Sequence, residues 1–282
     1  MGEFSAQWLA LREPVDHAAR SARVRDVLLA DLRKRHGEQL SGLSILDLGC
    51  GSGSNLRAIA PHLGGQQRWC LVDYDDALLD AARLALKAWA HVVVSETTDS
   101  LQIMYGDRDI EITFRSADLS GDLQTVLAWP ADLVSASALF DLVSRQWVDR
   151  FCDALRTPLY AVLSFDGQMQ WEPEHPFDQT VRQAFCMHQA TDKGFGAALG
   201  PSSGRYLCDA LKQRAFEVTI DKSPWQIEDL PSAFHDMLID GIAHAVLETG
   251  SLGEADMDTW LAYHRRASLC LIGHDDLYAS VP

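Results

Sequence analysis

The sequence predicts an α/β fold in which a mostly parallel sheet is covered by helices on both faces. Three observations predict it. The 282 residues, at 31.2 kDa, suffice for one large domain or for a domain with a smaller cap. Hydrophobic residues at 47% and charged residues at 23% match soluble globular chains and exclude disordered, collagen-like and coiled-coil readings. From Leu43 to Leu163, short apolar runs alternate with segments of helical period.

The elements follow in order. Val24, Val27, Leu28 and Leu32 recur at helical spacing and predict an amphipathic helix over 16–36. Ahead of it, Leu11-Arg12-Glu13-Pro14-Val15-Asp16 suits either a helix start with Pro14 near its first turn or a leading segment folded over a ligand. The first strand ends in Asp47, a glycine-rich turn and a helix to Pro61 follow, and the second strand is Trp69 to Asp73. A helix through Leu78, Leu79, Ala82, Leu86 and Trp89 precedes strands at 112–114 and 132–135. A helix with Val148, Phe151, Cys152 and Leu155 then leads to a strand at 159–163. Residues 166–201 are rich in Gly, Gln, His and Pro and too long for a structureless loop, so they read as a partly helical cap. A helix around Leu207, Ala210 and Leu211, a strand near 216–220, helices at about 231–249 and 254–266 and a last strand at 268–272 complete the chain. The expected organisation is a helical segment (1–42), a ligand-binding half of the sheet (43–165), an insertion (166–201) and the rest of the sheet with its own helical insertion (202–282).

Charge narrows the partners. Lys and Arg total 24 against 40 Asp and Glu, a net charge of −16 that makes nucleic acid and anionic membrane surfaces poor partners. Residues 221–260 hold nine of these acids and one lysine, a pattern expected of a solvated helical face. No basic stretch followed by an apolar one opens the sequence, no run has the length of a membrane span, and six scattered cysteines lack a CxxC pair, so a soluble, reduced, cytoplasmic protein is expected.

The sharpest signal is Asp47-Leu48-Gly49-Cys50-Gly51-Ser52-Gly53-Ser54-Asn55. Alternate glycines after a strand let the backbone turn tightly against a ligand, and the helix that follows offers its first N–H groups. Asp73, twenty residues beyond Gly53, closes the second strand, where a carboxylate can accept both hydroxyls of a ribose. The alternative is an ordinary turn with a solvated Asp73 beside Tyr74, Asp75 and Asp76. The third glycine falls one place early for the dinucleotide pattern GxGxxG, and Asp47 would repel a pyrophosphate while welcoming a cationic amino group. A nucleoside with positive charge and no phosphate is implied.

With these residues the chain resembles the class I S-adenosylmethionine-dependent methyltransferases of the small-molecule type. The resemblance implies a seven-stranded Rossmann-like sheet, mostly parallel with the last strand antiparallel, carrying helical cap insertions, and S-adenosyl-L-methionine as cofactor. Asp47, Gly49, Cys50, Gly51, Gly53 and Asn55 correspond to the first motif, Asp73 and Tyr74 to the ribose-gripping position, and Asp118 and Leu119 to the adenine-binding segment. The resemblance also implies that Ser135 and Ser137, at the end of the fourth strand, face the methyl group and the acceptor. Asp118 could instead cap a turn before Gly121, and the two serines could be small packing residues.

Methyl transfer from a sulfonium is an in-line displacement needing alignment, and a base only where the acceptor holds its proton tightly. After the fourth strand the chain reads Ser135-Ala136-Ser137-Ala138-Leu139-Phe140-Asp141, without the Asn/Asp-Pro-Pro-Tyr/Phe stretch of nucleobase and amide N-methyltransferases. Asp141 is present, yet neither HExxH nor HxH occurs and no metal set is expected. The acceptor pocket is expected to draw on Ser137, Asp141, Trp171, Gln189 and Lys193, with His188 as general base because imidazole takes a proton near neutral pH. For His188 and Lys193 the alternative is a solvated surface residue, and for Trp171, Phe185 and Phe195 a small core of the cap itself. The expected function is O- or N-methylation of a small molecule. Its rivals are a cofactor-binding regulatory or partner subunit and, opposed by the glycine spacing and Asp47, a nicotinamide oxidoreductase.

Overall fold

The computed structural model describes residues 5–228 and 232–281. The first residue of the helix expected from about 231 lies outside them. The strands are β1 (Leu43–Leu48), β2 (Gln66–Asp73), β3 (Val92–Glu96), β4 (Ser100–Tyr105), β5 (Arg108–Ser116), β6 (Leu133–Ser137), β7 (Leu159–Glu172), β8 (Glu217–Lys222), β9 (Trp225–Ile227) and β10 (Leu269–Ser280). They form one sheet in the order β3-β4-β5-β2-β1-β6-β7-β10-β8, with β9 also paired to β10. Strands β5, β2, β1, β6 and β7 run parallel, and β10 lies antiparallel between β7 and β8. This is the expected mostly parallel arrangement, but the sheet has ten strands rather than seven. The additions are β9 and the edge pair β3 and β4, whose antiparallel continuation into β5 turns at Gly106 and Asp107.

The helices are α1 (Ala6–Ala19), α2 (Ala22–His36), α3 (Ser54–Ile59), α4 (Asp76–Trp89), α5 (Leu123–Leu127), α6 (Arg145–Ala154), α7 (Asp178–Gln189), α8 (Ser203–Lys212), α9 (Ala233–Glu248) and α10 (Glu254–His264). Every residue of β1 is buried, as a central strand covered on both faces requires. Leu46 and Leu48 face a core built with Trp147, Val148 and Phe151 of α6 and Leu207 and Leu211 of α8. Leu43 and Ile45 face the opposite core, with Leu28 and Leu32 of α2, Leu56 of α3 and Leu86 of α4. Both α4 and α6 bury residues spaced for one helical face, and the side chains of Asp75 and Ser144 cap their first turns.

Two expected elements have different limits. The single helix over 16–36 is two helices, because Ser21 leaves the helical conformation and its hydroxyl accepts from Val24 N to start α2. Pro14 consequently lies inside α1, whose cap is Ser5, and not near a first turn. The fifth parallel strand, expected at 159–163, does not stop at Leu163. It runs on to Glu172 because β10 pairs with it along this length. The extension, with β9, α1, α7, α9 and α10, encloses a third core containing Phe165, Trp171, Trp225, Phe234, Ile239 and Trp260.

Asp276 fastens this part to the sheet. Beside a register slip in β10, its Oδ2 accepts from Ser21 N at 2.9 Å, while Oδ1 accepts from Leu163 N at 2.8 Å and Ser223 Oγ at 2.6 Å. The start of α2, the middle of β7 and the β8–β9 link therefore share one buried carboxylate, and Leu163 is held at a φ of 56°, in the left-handed region. Asp276→Ala leaves these three donors unsatisfied at about 1–3 kcal/mol each, so urea denaturation should show a loss of at least about 3 kcal/mol. A variant as stable as wild type would show the carboxylate to be dispensable.

Candidate functional site: the carboxyl ends of β1, β2 and β6

The glycine turn joins β1 to α3. Gly49, Gly51 and Gly53 all have positive φ, 63°, 51° and 75°. At Gly51 a Cβ would also stand 3.1 Å from Cδ1 of Leu9, because α1 lies across the turn. Gly51 N donates to Asp73 Oδ2 at 2.8 Å and Asp75 N donates to Oδ1 at 3.1 Å, so the turn and the end of β2 hold one another. The backbone of Tyr74 bonds the same carboxylate, so three N–H groups from the turn and the end of β2 converge on Asp73. Burial raises the carboxyl of Asp73 above its ordinary range.

Asp47 is fully buried one turn earlier in the chain. Its Oδ1 accepts from Asn55 Nδ2 at 2.6 Å and from Ser135 Oγ at 2.7 Å, which ties β1 to the start of α3 and to β6. Its Oδ2 has no partner. Burial pushes this carboxyl up to about 6 against the opposing bonds from Ser135 and Asn55. A buried carboxylate oxygen left open beside a glycine cradle fits a cationic amino group, so the residues present suit S-adenosylmethionine: Asp47 would take its ammonium and Asp73 its ribose. Cys50 is buried with its thiol held well above the ordinary value, chiefly by burial, and is a wall of the turn and not a nucleophile.

The other expected residues are distributed unevenly. Tyr74 is exposed directly after Asp73. Asp118 is exposed and caps its own turn, accepting from Ser120 N and Ser120 Oγ at 2.8 Å, and the carbonyl of buried Leu119 accepts from Trp147 Nε1 at 2.7 Å. Ser137 ends β6, and after it Leu139 packs within 3.4 Å of where a Cβ on Gly49 would be. Asp141, farther along that segment, is buried and raised to about 6 by desolvation, with Oδ1 unpartnered. The loop after α7 closes onto this segment, Gly200 N donating to Asp141 O at 3.0 Å and Leu199 N to Val143 O at 2.9 Å. At the end of α7, His188 Nε2 pairs with Glu248 Oε2 at 2.9 Å, next to Gln189 and with Lys193 in the same field. Trp171 is set apart from these, packed edge-on against Trp260 at 5.1 Å in the third core.

Sequence reasoning missed the partners of Asp141. Arg12 of α1 is buried, forks onto Asp16 at 2.8 and 3.2 Å, lies 5.2 Å from the Trp225 ring centroid and exerts its charge on both Asp141 and His274. His274 of β10 packs against Trp225 at 4.7 Å and Phe165 at 6.3 Å. Burial first and Arg12 second hold its imidazole down to about 3, and Nδ1 has no partner. Helical i,i+4 spacing of Arg12 and Asp16 was the one sequence signal available; joining them to residues 141, 225 and 274 takes tertiary structure.

Comparison with known proteins agrees with the glycine turn. Residues 45–128 match the family described as a methyltransferase domain, a segment reaching from β1 through both acidic positions to the end of α5. No curated protein matches the chain. Among solved structures, it is similar to the YcgJ protein of Bacillus subtilis at 12% identity, covering 92% of this chain and 98% of that one with a TM-score of 0.49. It is similar to a cyclopropane synthase of Mycobacterium tuberculosis at 12% identity, covering 99% and 95% with a TM-score of 0.49. A methyltransferase of Geobacter sulfurreducens in complex with S-adenosyl-L-homocysteine shares 17% identity, covering 98% of each chain with a TM-score of 0.45. The matched stretch, residues 45–128, is similar to a methyltransferase domain and contains Asp47, the three positive-φ glycines and Asp73.

Proposed function

We propose that the protein methylates a small-molecule acceptor seated beneath α1, between the segment after β6 and the upper parts of β7 and β10. The observation that carries this reading is the buried group of Arg12, Asp141 and His274, in which two polar atoms lack partners beside one guanidinium. Buried polar atoms without partners are costly, and an acceptor molecule's polar groups would satisfy them. Phe165 and Trp225 supply apolar walls. All three polar residues are buried under α1, which suits a molecule that can be enclosed and not a polymer crossing the surface.

When bound, the cofactor supplies a methyl group activated by its sulfonium. Asp141, ionised at neutral pH yet with a proton affinity raised by burial, takes the proton of an acceptor hydroxyl as the oxygen lone pair takes the methyl group, or first takes the proton of an acceptor ammonium and so frees the nitrogen lone pair that then takes it. Arg12 faces the acceptor's negative or developing negative charge, and His274 stays neutral and offers one ring nitrogen. His188 and Lys193, around Glu248, belong to the outer end of the same pocket, where Lys193 favours an anionic acceptor.

The cofactor site is tested through Asp47. S-Adenosylhomocysteine at a hundredfold excess over its Kd should stabilise the protein by about 2.7 kcal/mol, and NADH should not. Because the folded pKa of Asp47 is about 6 and its unfolded value 3.8, the folded state binds the extra proton between these values. Its contribution to stability therefore falls as pH rises through that window and stays unfavourable above it. Asp47→Asn should stabilise the ligand-free protein at pH 8 by up to about 3 kcal/mol, while weakening S-adenosylhomocysteine at least about tenfold. Wild-type affinity should rise from pH 5 to 7, and the variant's should not. Unchanged calorimetric affinity in Asp47→Asn would remove Asp47 from the site.

The acceptor site is tested by Asp141→Asn, His274→Gln and His188→Ala in a screen of small hydroxy, carboxy and amino compounds with labelled cofactor. Asp141→Asn should lower kcat by about 10²–10⁴ with cofactor affinity kept, His274→Gln should raise KM, and His188→Ala should do less than either. Wild-type turnover in Asp141→Asn, or transfer only to protein or RNA, would overturn this reading.

A further inference from the structure

A cavity of about 220 Å³ lies between α2 and α3, on the far side of Arg20 from the glycine turn, none of whose residues line it. Five of its lining residues are basic: Arg20, Arg25 and Arg57 with His17 and His62, and the ring of Tyr160 closes it from the sheet. None of the lining residues is acidic, in a chain whose net charge is −16.

The guanidinium of Arg20 is half used. Its Nη1 donates to Asn55 Oδ1 at 2.8 Å, whereas Nε and Nη2 are buried and bond no carboxylate among the described residues; the Tyr160 hydroxyl and the charges of Asp47 and Asp276 act on the same guanidinium. Those two atoms form the edge that Arg12 presents to Asp16 and Arg214 presents to Asp153, where each binds a carboxylate through two bonds. On Arg20 the same fork holds no carboxylate. Arg57 is engaged by Glu13 outside the cavity, while Arg25 has only a 3.4 Å contact with Asp26 on its own helix. Both imidazoles are held below their ordinary value, by burial first and then by a neighbouring guanidinium, Arg20 at His17 and Arg25 at His62.

We propose that this cavity is a binding site for the phosphoryl group of a small metabolite, with the fork of Arg20 taking two of its oxygens and Arg25 and His62 the outer face. A dianionic tetrahedral group matches converging guanidiniums in both charge and geometry. The site is separate from the methyl-transfer site but adjoins it, since Arg20 bonds Asn55, which bonds Asp47, and His17 Nε2 lies 3.0 Å from Ser54 Oγ. The proposal does not depend on the acceptor assigned above.

The test is a calorimetric and phosphorus-NMR titration of the full chain with inorganic phosphate, at constant ionic strength in chloride and with saturating S-adenosylhomocysteine present. Phosphate should bind one site with a Kd of about 1 mM or tighter. Arg25→Gln and His62→Gln, both at partly exposed positions, should together weaken phosphate at least about tenfold and leave S-adenosylhomocysteine affinity unchanged. Arg20→Lys, which keeps the charge and loses the fork, should weaken it as much. Absence of saturable binding, or binding unaltered in the folded Arg25→Gln, His62→Gln protein, would overturn the proposal. Displacement of phosphate by S-adenosylhomocysteine would also overturn it, by placing the fork of Arg20 in the cofactor's own site.

Discussion

The carboxylate of Asp47 is buried at the end of a central strand without a cation bonded to it, and much of the molecule is arranged around that cost. Desolvation of a charge is tolerable only where hydrogen bonds replace water. Here two donors come from different elements, Asn55 at the start of α3 and Ser135 in β6, so the same bonds that keep Asp47 ionisable fix where β1, β6 and α3 meet. Arg20 then meets Asn55 from the opposite side, which makes the junction between α1 and α2 part of the same polar chain. One oxygen of the carboxylate, Oδ2, is left without a hydrogen bond among the described residues.

A second buried carboxylate, Asp276, has the complementary role of joining the sheet to what stands above it. Through Ser21, Leu163 and Ser223 it sets the direction in which α1 leaves α2, the bend of β7 and the path into β9. Those three paths bring Arg12, Phe165 and Trp225 to His274, which lies two residues before Asp276 on the same strand. The enclosed region around His274 is thus a consequence of how the extended β7 and β10 pair, and α1 covers it while resting Leu9 on Gly51.

Local regularities were legible in the sequence where one element decides its own shape. The buried run of β1, the caps at Asp75 and Ser144, the one-sided faces of α4 and α6 and the positive-φ glycines all follow from neighbours within a few residues. The hairpin of β4 and β5 carries a readable signal, since Leu101, Ile103, Ile110 and Ile112 alternate on either side of Gly106-Asp107. The strand Val92–Glu96 gave less, since all five residues are exposed and no alternation marks a buried face.

The amino-acid sequence by itself therefore determined the alternation of the parallel strands with helices, the glycine turn and the acids at Asp47 and Asp73, because each depends on backbone freedom, charge or periodicity at short spacing. Only the tertiary structure decided the rest. The length of β7 depends on pairing with a strand about a hundred residues away, and the break at Ser21 on a carboxylate at the other end of the chain. Asp141 gains its raised proton affinity only once the packed chain excludes water from it, and Arg20, Arg25, Arg57, His17 and His62 line one cavity only because α2 and α3 pack to leave it. Burial and long-range pairing are properties of the packed chain, and no spacing along the sequence encodes them.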